Sequence, residues 1–169
     1  MIATHETVIT QDQANKKMKV VREFNAPIDQ VWKAWTDSNI LDKWWAPKPW
    51  KAKTKSMDFR QGGSWIYSMN GPEGEQHWAR VDYDTVTPQK RFAGADSFTD
   101  ENGVKNDDMP GMHWDTQFSS TGSGTKVEVF ITFPSEEQMQ KLIEMGFKEG
   151  FTAAHGNLDE LLEKQTSRK

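Results

Sequence analysis

The sequence of 169 residues contains no cysteine, only two tyrosines and no long apolar run. Without cysteine the chain can form no disulfide, no catalytic thiolate and no cysteine-ligated metal site, and it suits a reducing cytoplasm. Hydrophobic residues make up 35% of the chain and the mean hydropathy is −0.83, so a membrane helix of about 20 apolar residues is not expected. The first residues also lack the apolar core of a secretion signal. We therefore expect a cytoplasmic protein without membrane insertion.

An excess of positive charge is missing as well. The 21 lysines and arginines are outnumbered by 25 aspartates and glutamates, so nucleic acid, which needs a basic field, is not an expected partner. The four histidines lack the helical spacing of a zinc site, and neither a phosphate loop nor a Gly-x-Ser-x-Gly elbow occurs. Asp107 and Asp108 near His113 could contact a cation, although a solvated loop is the favoured interpretation. No metal, cofactor or catalytic residue set is expected.

What the sequence does contain is large aromatic side chains, with eight tryptophans and nine phenylalanines. Runs typical of β-strands at 7–10 and 17–24 predict a first hairpin. Pro27 suits the first turn of an amphipathic helix, and Asp37 or Ser38 can cap a second short helix. From the end of the connector at Trp50 to Phe133 the apolar period is two, with turns rich in glycine and asparagine, which predicts an antiparallel meander.

A long C-terminal helix is predicted to begin at a capping box formed by Ser135 and Gln138 and to reach about Glu163. Its apolar residues cover an arc of about 200°, wider than the roughly 100° stripe of a surface helix. A curved sheet that clasps this helix would account for the width. The sequence thus predicts a single α+β domain over 1–169, with residues 1–16 as an N-terminal extension or an extra strand.

Gly146 and Gly150 fall inside the apolar arc, although each costs about 1 kcal/mol relative to alanine in a helix interior. Either they admit a backbone or a tryptophan at close range, or they leave space for a cavity between helix and sheet. The sequence leaves both interpretations open. The candidate ligand-cavity residues are Trp65, Tyr67, Met69, Arg80, Trp114, Phe118, Ile143, Gly146, Phe147, Gly150 and Ala154.

Three charged residues, Arg80, Asp82 and Asp96, alternate with apolar neighbours along predicted strands. They either face solvent, which is the favoured interpretation, or point into an enclosed space. In the second case they would have to be paired or hydrogen-bonded, and they could orient the polar head of a ligand.

Several ordered motifs resemble the START-like superfamily (SRPBCC), and within it the branch named after the activator of the heat-shock protein 90 ATPase. The resemblance covers roughly Lys17 to Glu163. The motifs are REFNAPIDQVWKAWT at 22–36, WWAP at 44–47, DFRQGG at 58–63, FTDENG at 98–103, DMPGMHW at 108–114 and MGFKEGFTAA at 145–154. The resemblance implies a helix-grip fold, in which a curved antiparallel sheet wraps a long C-terminal helix and two short helices follow the first strands. Members of the superfamily include lipid carriers, hormone receptors, polyketide cyclases and chaperone activators.

The leading hypothesis is a non-enzymatic binding module that encloses a small hydrophobic or amphipathic ligand between the long helix and the sheet. One alternative is a cyclase-like or hydrolase-like enzyme that uses the same cavity, for which at least two polar side chains must converge there. Its candidate residues are Tyr67, Arg80, Asp82, Asp96 and His113. Another alternative is a stress-related or chaperone-related protein-interaction domain with an exposed aromatic patch around Trp45 and Trp50. A protein partner is not identified, and a monomer and a homodimer both remain open.

Overall fold

The computed structural model describes residues 6–106 and 111–167, without the side chains of 165–167. Eight antiparallel strands form one curved sheet in the described residues, in the order β1-β2-β8-β7-β6-β5-β4-β3. The strands are β1 (Val8–Asp12), β2 (Lys17–Phe24), β3 (Lys51–Met57), β4 (Ser64–Asn70), β5 (Gln76–Thr87), β6 (Arg91–Thr99), β7 (His113–Ser120) and β8 (Thr125–Thr132). The predicted first hairpin and the meander are both present, and β8 closes the sheet onto β2.

Two short helices follow the first strands, as the sequence predicts: α1 (Ile28–Thr36) and α2 (Ser38–Trp44). The side chain of Asp37 accepts a hydrogen bond from the Asn39 amide at 2.9 Å and so caps α2. The Trp44 indole donates to the Ala34 carbonyl at 2.9 Å, which satisfies a backbone acceptor in the last turn of α1. This hydrogen bond joins α1 to α2, and the two helices pack together against the sheet.

The predicted single C-terminal helix is wrong in one respect, because the helix is interrupted. It forms α3 (Glu136–Glu144) and the long α4 (Phe147–Ser167), with Ser135 capping α3 through the Gln138 amide as predicted. Gly146 lies between the two helices with a φ of +94°, in the left-handed region that side chains with a Cβ rarely adopt. Gly146 therefore ends α3 and does not sit inside a continuous helix.

The long helix α4 packs across the concave face of the sheet, as the helix-grip architecture requires. Its buried residues include Phe151, Ala154 and Leu158. The opposing layer comes from alternating residues of the sheet, because side chains two apart on a strand share a face. The core thus lies between α4, the α1–α2 pair and the concave side of the sheet.

Candidate functional site

The strand register defines which side chains face α4, because cross-strand partners lie on the same face of a sheet. Trp65 pairs with Val81, which pairs with Asp96, and Tyr67 pairs with Ala79, which pairs with Phe98. Trp114 on β7 belongs to the same face, since its ring contacts Phe151 of α4 at a centroid distance of 5.5 Å. We call this concave surface of β4 to β8 the inner face.

One part of the inner face is filled by aromatic rings. The Phe118 ring contacts Trp32 of α1 at a centroid distance of 5.1 Å and Trp35 at 6.2 Å. Trp65 stacks on Tyr67 at 4.0 Å, and Ala154 of α4 is fully buried. Among the candidate cavity residues, Trp65, Phe118 and Ala154 therefore belong to close-packed core.

The other part of the inner face is only half-buried. Its side chains come from the ends of β4 to β7 and from the start of α4. On the sheet they are Met69, Ala79, Val81, Asp96, Phe98 and Trp114, and on α4 the residue is Phe147. The candidate Ile143 of α3 is half-buried and packs against the core. The Trp114 and Phe147 rings are in contact, with centroids 5.9 Å apart. We call this half-buried region the Asp96 site, after its charged member.

Asp96 is held in place by two hydrogen-bond donors, one for each carboxylate oxygen. The Met112 amide donates to Oδ1 at 2.6 Å, and the Trp114 indole donates to Oδ2 at 2.8 Å. Gly111 makes the first bond possible, since a Cβ at this position would lie 1.7 Å from the Asp96 carbonyl oxygen. Burial raises the pKa of Asp96 to about 6, although both hydrogen bonds act to lower it. In the described parts of the chain, no lysine or arginine forms an ion pair with this carboxyl.

Tyr67 is the second polar group on the inner face. Its hydroxyl oxygen accepts a hydrogen bond from the Trp45 indole at 3.0 Å, and the Trp45 ring contacts Trp114 with centroids 6.1 Å apart. Burial raises the pKa of the Tyr67 hydroxyl far above its usual value, and the nearby Asp96 charge raises it further. The hydroxyl therefore stays protonated, and two tryptophan indoles link Tyr67 to Asp96.

The other charged candidates lie on the opposite, outer face of the sheet. Arg80 pairs in register with Ile66 and Ser97, and its guanidinium contacts Asp82 at 2.8 Å. His113 is exposed and lies 2.9 Å from Asp84. Assigning Arg80 to the cavity was therefore wrong, because the alternation that turns Ala79 and Val81 inward turns Arg80 outward. Of the five residues proposed for an enzyme, Tyr67 and Asp96 come together on the inner face.

Gly146 and Gly150 were expected to lie opposite the sheet, where they would admit a close neighbour or leave space for a cavity, and the structure places both elsewhere. A Cβ on Gly150 would lie 3.7 Å from the Pro47 ring, an ordinary contact with the segment that follows α2. A Cβ on Gly146 would meet Glu149 at 3.8 Å. Neither glycine therefore creates space between α4 and the strands.

A second polar cluster lies between β2 and α4, beside the start of β1, and was not anticipated from the sequence. The Arg22 guanidinium pairs with Asp159 of α4 and donates to the Thr7 hydroxyl at 3.2 Å. That hydroxyl shares a hydrogen bond of 2.9 Å with His155 Nδ1. His155 is fully buried against Phe24 and Phe151, and burial, with a smaller effect from Arg22, lowers its pKa to about 3. His155 is thus an uncharged part of the core.

Outside these two clusters, the described residues offer weaker candidates for a ligand or metal site. An open groove of about 350 Å³ beside α3 is lined by polar residues, namely Gln13, Glu136, Glu137, Gln140, Lys141 and Glu144. Asp107 and Asp108 lie outside the described residues, and in the described ranges no cluster of three His, Asp or Glu side chains could hold a metal ion. No helix in those ranges is both long and apolar enough to span a membrane.

The aromatic patch proposed for protein interaction is also not formed as expected. Trp45 turns inward, where its ring contacts Trp65 and Phe151 with centroids 5.8 and 5.9 Å away. Trp50 is half-buried and stacks on His77 at 5.6 Å. The described large apolar side chains that are exposed, Val8, Val104 and Met145, are far apart in sequence and come from a strand, a loop and a helix end.

Comparison with known proteins places this geometry in a family. The family model described as "Activator of Hsp90 ATPase homolog 1-like protein" matches residues 25–163. The chain belongs to this family. A search of curated proteins finds no match.

Solved structures of bacterial proteins share the fold over nearly the whole chain. A protein from Arthrobacter aurescens has 31% identity and a TM-score of 0.87, with 93% of this chain and 91% of that chain covered. A protein from Mycobacterium smegmatis has 30% identity and a TM-score of 0.85, with coverages of 92% and 96%. A Nitrosomonas europaea protein has 28% identity and a TM-score of 0.80, with coverages of 91% and 98%. The helix-grip fold inferred from the sequence motifs is thus confirmed for this member of the Activator of Hsp90 ATPase homolog 1-like family.

Four residues of the Asp96 site were absent from the cavity candidates in this family member, namely Ala79, Val81, Asp96 and Phe98, and so was Met112, whose amide donates to Asp96. The signal for Asp96 is present in the sequence, because Phe92, Asp96 and Phe98 share the parity of an apolar strand face. No comparable signal exists for Met112, whose backbone amide is brought to the carboxylate only by the path of the chain before β7.

Proposed function

We propose that the protein is a non-enzymatic binding module whose Asp96 site encloses a small hydrophobic or amphipathic ligand between the sheet and the helices. One observation carries this proposal: inner-face side chains such as Met69, Phe98 and Trp114 stay half-buried, although Trp65 and Phe118 on the same face are almost fully buried. Ligand pockets are commonly apolar surfaces with a few convergent polar groups, and here those groups are Asp96 and Tyr67. We further propose that it acts in the cytoplasm, which the absence of cysteine suits.

The energetics favour a ligand at this position. Removing apolar surface from water contributes about 25 cal/mol per Å², so a ligand that covers the half-buried aromatic and methionine side chains gains affinity from contact alone. The desolvated Asp96 carboxyl then determines which polar groups the ligand can carry beside its apolar part. A membership in the Activator of Hsp90 ATPase homolog 1-like family is compatible with such a role, since helix-grip proteins often bind ligands.

The first test is native mass spectrometry of the purified protein, which should show an additional mass that is lost on denaturation. The second is titration with N-phenyl-1-naphthylamine, an uncharged apolar dye that fluoresces in apolar sites. Saturable fluorescence is expected, with energy transfer from nearby tryptophans such as Trp114. A protein that neither carries a small molecule nor binds the dye would contradict the proposal.

A matched pair of variants localises the dye. Ala79→Phe fills the half-buried part of the inner face, whereas Ala95→Phe adds the same ring on the exposed outer face of the adjacent strand. Dye affinity should fall by about tenfold or more in Ala79→Phe, a change of ~1.4 kcal/mol, and stay at the wild-type value in Ala95→Phe. Equal effects of the two variants would place the dye elsewhere.

One observation favours the enzyme alternative. Tyr67 and Asp96, two of its five candidate residues, lie on the same inner face of the sheet. A carboxyl with a pKa of about 6 can exchange a proton near neutral pH. Prolonged incubation of the protein with any molecule recovered by native mass spectrometry separates the two functions. A ligand returned unchanged supports the binding module, whereas a mass change that Asp96→Asn abolishes supports an enzyme.

A further inference from the structure

Among the described residues of β4 to β8, Asp96 is the carboxylate that lies on the half-buried part of the inner face, and two hydrogen bonds fix its orientation. Oδ1 and Oδ2 of Asp96 each accept one hydrogen bond from the protein, from Met112 and from Trp114. A carboxylate oxygen can accept more than one hydrogen bond, so each oxygen can accept a further one from a ligand. The two donors shown among the described residues both come from the chain at and just before the start of β7.

The surroundings of this carboxylate leave its charge uncompensated. Among the described residues, its contacts are two neutral donors, and the nearest elements supply aromatic and aliphatic side chains, namely Trp114, Phe147 and Val81. The Arg80 guanidinium lies on the other side of the sheet, bound to Asp82. A second negative charge placed here would therefore meet strong like-charge repulsion in an apolar environment.

We propose that the ligand of the Asp96 site has a hydrogen-bond donor as its polar head, such as a hydroxyl or a primary amide, and that carboxylate-headed ligands are rejected. This inference rests on the proposed function, because it assigns the head group of the ligand proposed above. The apolar body of the ligand lies against Met69, Phe98 and Phe147, and its donor completes the hydrogen bonding of Asp96. The site thus selects an alcohol or amide over a fatty acid of the same length.

The test uses three ligands with the same apolar chain, decanol, decanamide and decanoate, in competition with N-phenyl-1-naphthylamine. At about pH 8, where both Asp96 and decanoate are ionised, decanol and decanamide should displace the dye from the wild-type protein. Decanoate should bind at least about tenfold more weakly, a difference of ~1.4 kcal/mol or more. Decanoate binding as tightly as decanol would overturn the inference.

Two variants assign the discrimination to one side chain. In Asp96→Asn the ratio of decanoate to decanol affinity should rise about tenfold or more, because the charge is removed while an oxygen acceptor remains. Asp82→Asn removes a carboxylate from the outer face of the adjacent strand and should leave the ratio unchanged. A rise of equal size in both variants would overturn the role of Asp96.

The outcomes also separate the head-group inference from the proposed function. If the dye and all three ligands fail to bind, the proposed function itself fails. If the dye binds and decanoate competes as well as decanol, the binding function stands and the head-group inference fails. Should Asp96→Asn not fold, the comparison of the three ligands on the wild-type protein decides the head group by itself.

Discussion

Trp35 of α1 and Trp44 of α2 lie edge to face with ring centroids 4.9 Å apart, yet only one of the two indoles is hydrogen-bonded within the described structure. Trp44 donates to the Ala34 carbonyl at 2.9 Å, whereas Trp35 Nε1 is buried without a partner among the described residues. Both side chains are almost fully buried, at 3% and 1% exposure. The same substitution at the two positions therefore separates the contribution of packing from that of the hydrogen bond.

Replacing each tryptophan with phenylalanine removes a similar volume from the core. Trp44→Phe also leaves the Ala34 carbonyl without its donor, whereas Trp35→Phe removes an unsatisfied N–H. We expect Trp44→Phe to be more destabilising than Trp35→Phe by about 1–3 kcal/mol, the cost of a buried unpaired group. Urea unfolding followed by circular dichroism measures this difference. Equal free energies of unfolding would show that the N–H of Trp35 is satisfied in solution.

Gly146, between α3 and α4, and the two glycines within α4 should respond differently to replacement by alanine. In α4, a Cβ on Gly150 would make an ordinary contact and one on Gly156 would meet nothing within 4 Å, so each alanine should stabilise the protein by up to about 1 kcal/mol. Gly146 has a φ of +94°, and alanine there should destabilise it by about 1–2 kcal/mol. Thermal melting of the three single variants checks the signs. Stabilisation by Gly146→Ala would mean that α3 and α4 can join into one helix.

These glycines also show how far the sequence determines the fold. Period-two alternation, the Ser135 capping box and the Asp37 cap predicted the strands and the helix starts, because these signals are local. Gly146 and Gly150 have similar positions in the apolar pattern, so the sequence could not distinguish a helix terminator from an interior glycine. The difference depends on the backbone conformation of one residue and on the position of Pro47, both set by tertiary packing.

The candidate site shows the same division between local and distant information. Strand parity was sufficient to place Trp65, Tyr67 and Trp114 on one face, and it also places Arg80 on the other. The path of the chain around Gly111, which brings the Met112 amide to Asp96, leaves no periodic signal in the sequence. The inward turn of Trp45 toward Tyr67 likewise depends on how α2 packs on the sheet.

His155 should make the protein sensitive to acid. Its pKa is lowered from 6.5 in the unfolded chain to about 3 in the folded protein, first by burial and then by Arg22. As the pH falls, His155 is therefore protonated in the unfolded state before it is protonated in the folded state. The free energy of unfolding decreases between about pH 6.5 and pH 3, by about 1.4 kcal/mol per pH unit and by a few kcal/mol in total. His155→Gln can still bond to Thr7 but cannot be protonated.

Unfolding free energies measured by urea titration between about pH 4 and pH 7 test this dependence. The wild-type protein should lose more stability than His155→Gln over this interval. His113→Gln is the control, because His113 is exposed beside Asp84, outside the core around His155. If His155→Gln loses as much stability toward low pH as the wild-type protein, the buried imidazole is not the acid-sensitive group.

Asp96 should make the protein less stable as the pH rises, which is the opposite of the effect of His155, over part of the same pH range. Its pKa is raised from 3.8 to about 6 by burial, so the folded state binds a proton more tightly than the unfolded state. The stability that this proton contributes is complete below about pH 4 and is lost as the pH rises through about 6. Asp96→Asn removes the titration but leaves one of the two donors, Met112 N or Trp114 Nε1, without an acceptor. The variant should therefore be less stable than the wild-type protein at about pH 5, and the gap should narrow toward pH 8.

Asp82 on the outer face supplies the matched comparison. Burial tends to raise its pKa, but hydrogen bonds from Ser64, Arg80 and Lys105 outweigh burial and lower it. Its contribution is therefore present above the unfolded pKa and is lost as the pH falls, so the stability gap between Asp82→Asn and the wild-type protein should widen toward higher pH. The two carboxyls lie one register position apart on neighbouring strands, on opposite faces of the sheet, and the gaps of their asparagine variants should change in opposite directions with pH. Gaps that change in the same direction would mean that Asp96 is as well solvated or as well paired as Asp82, and that the inner face lacks the desolvated carboxylate on which ligand discrimination depends.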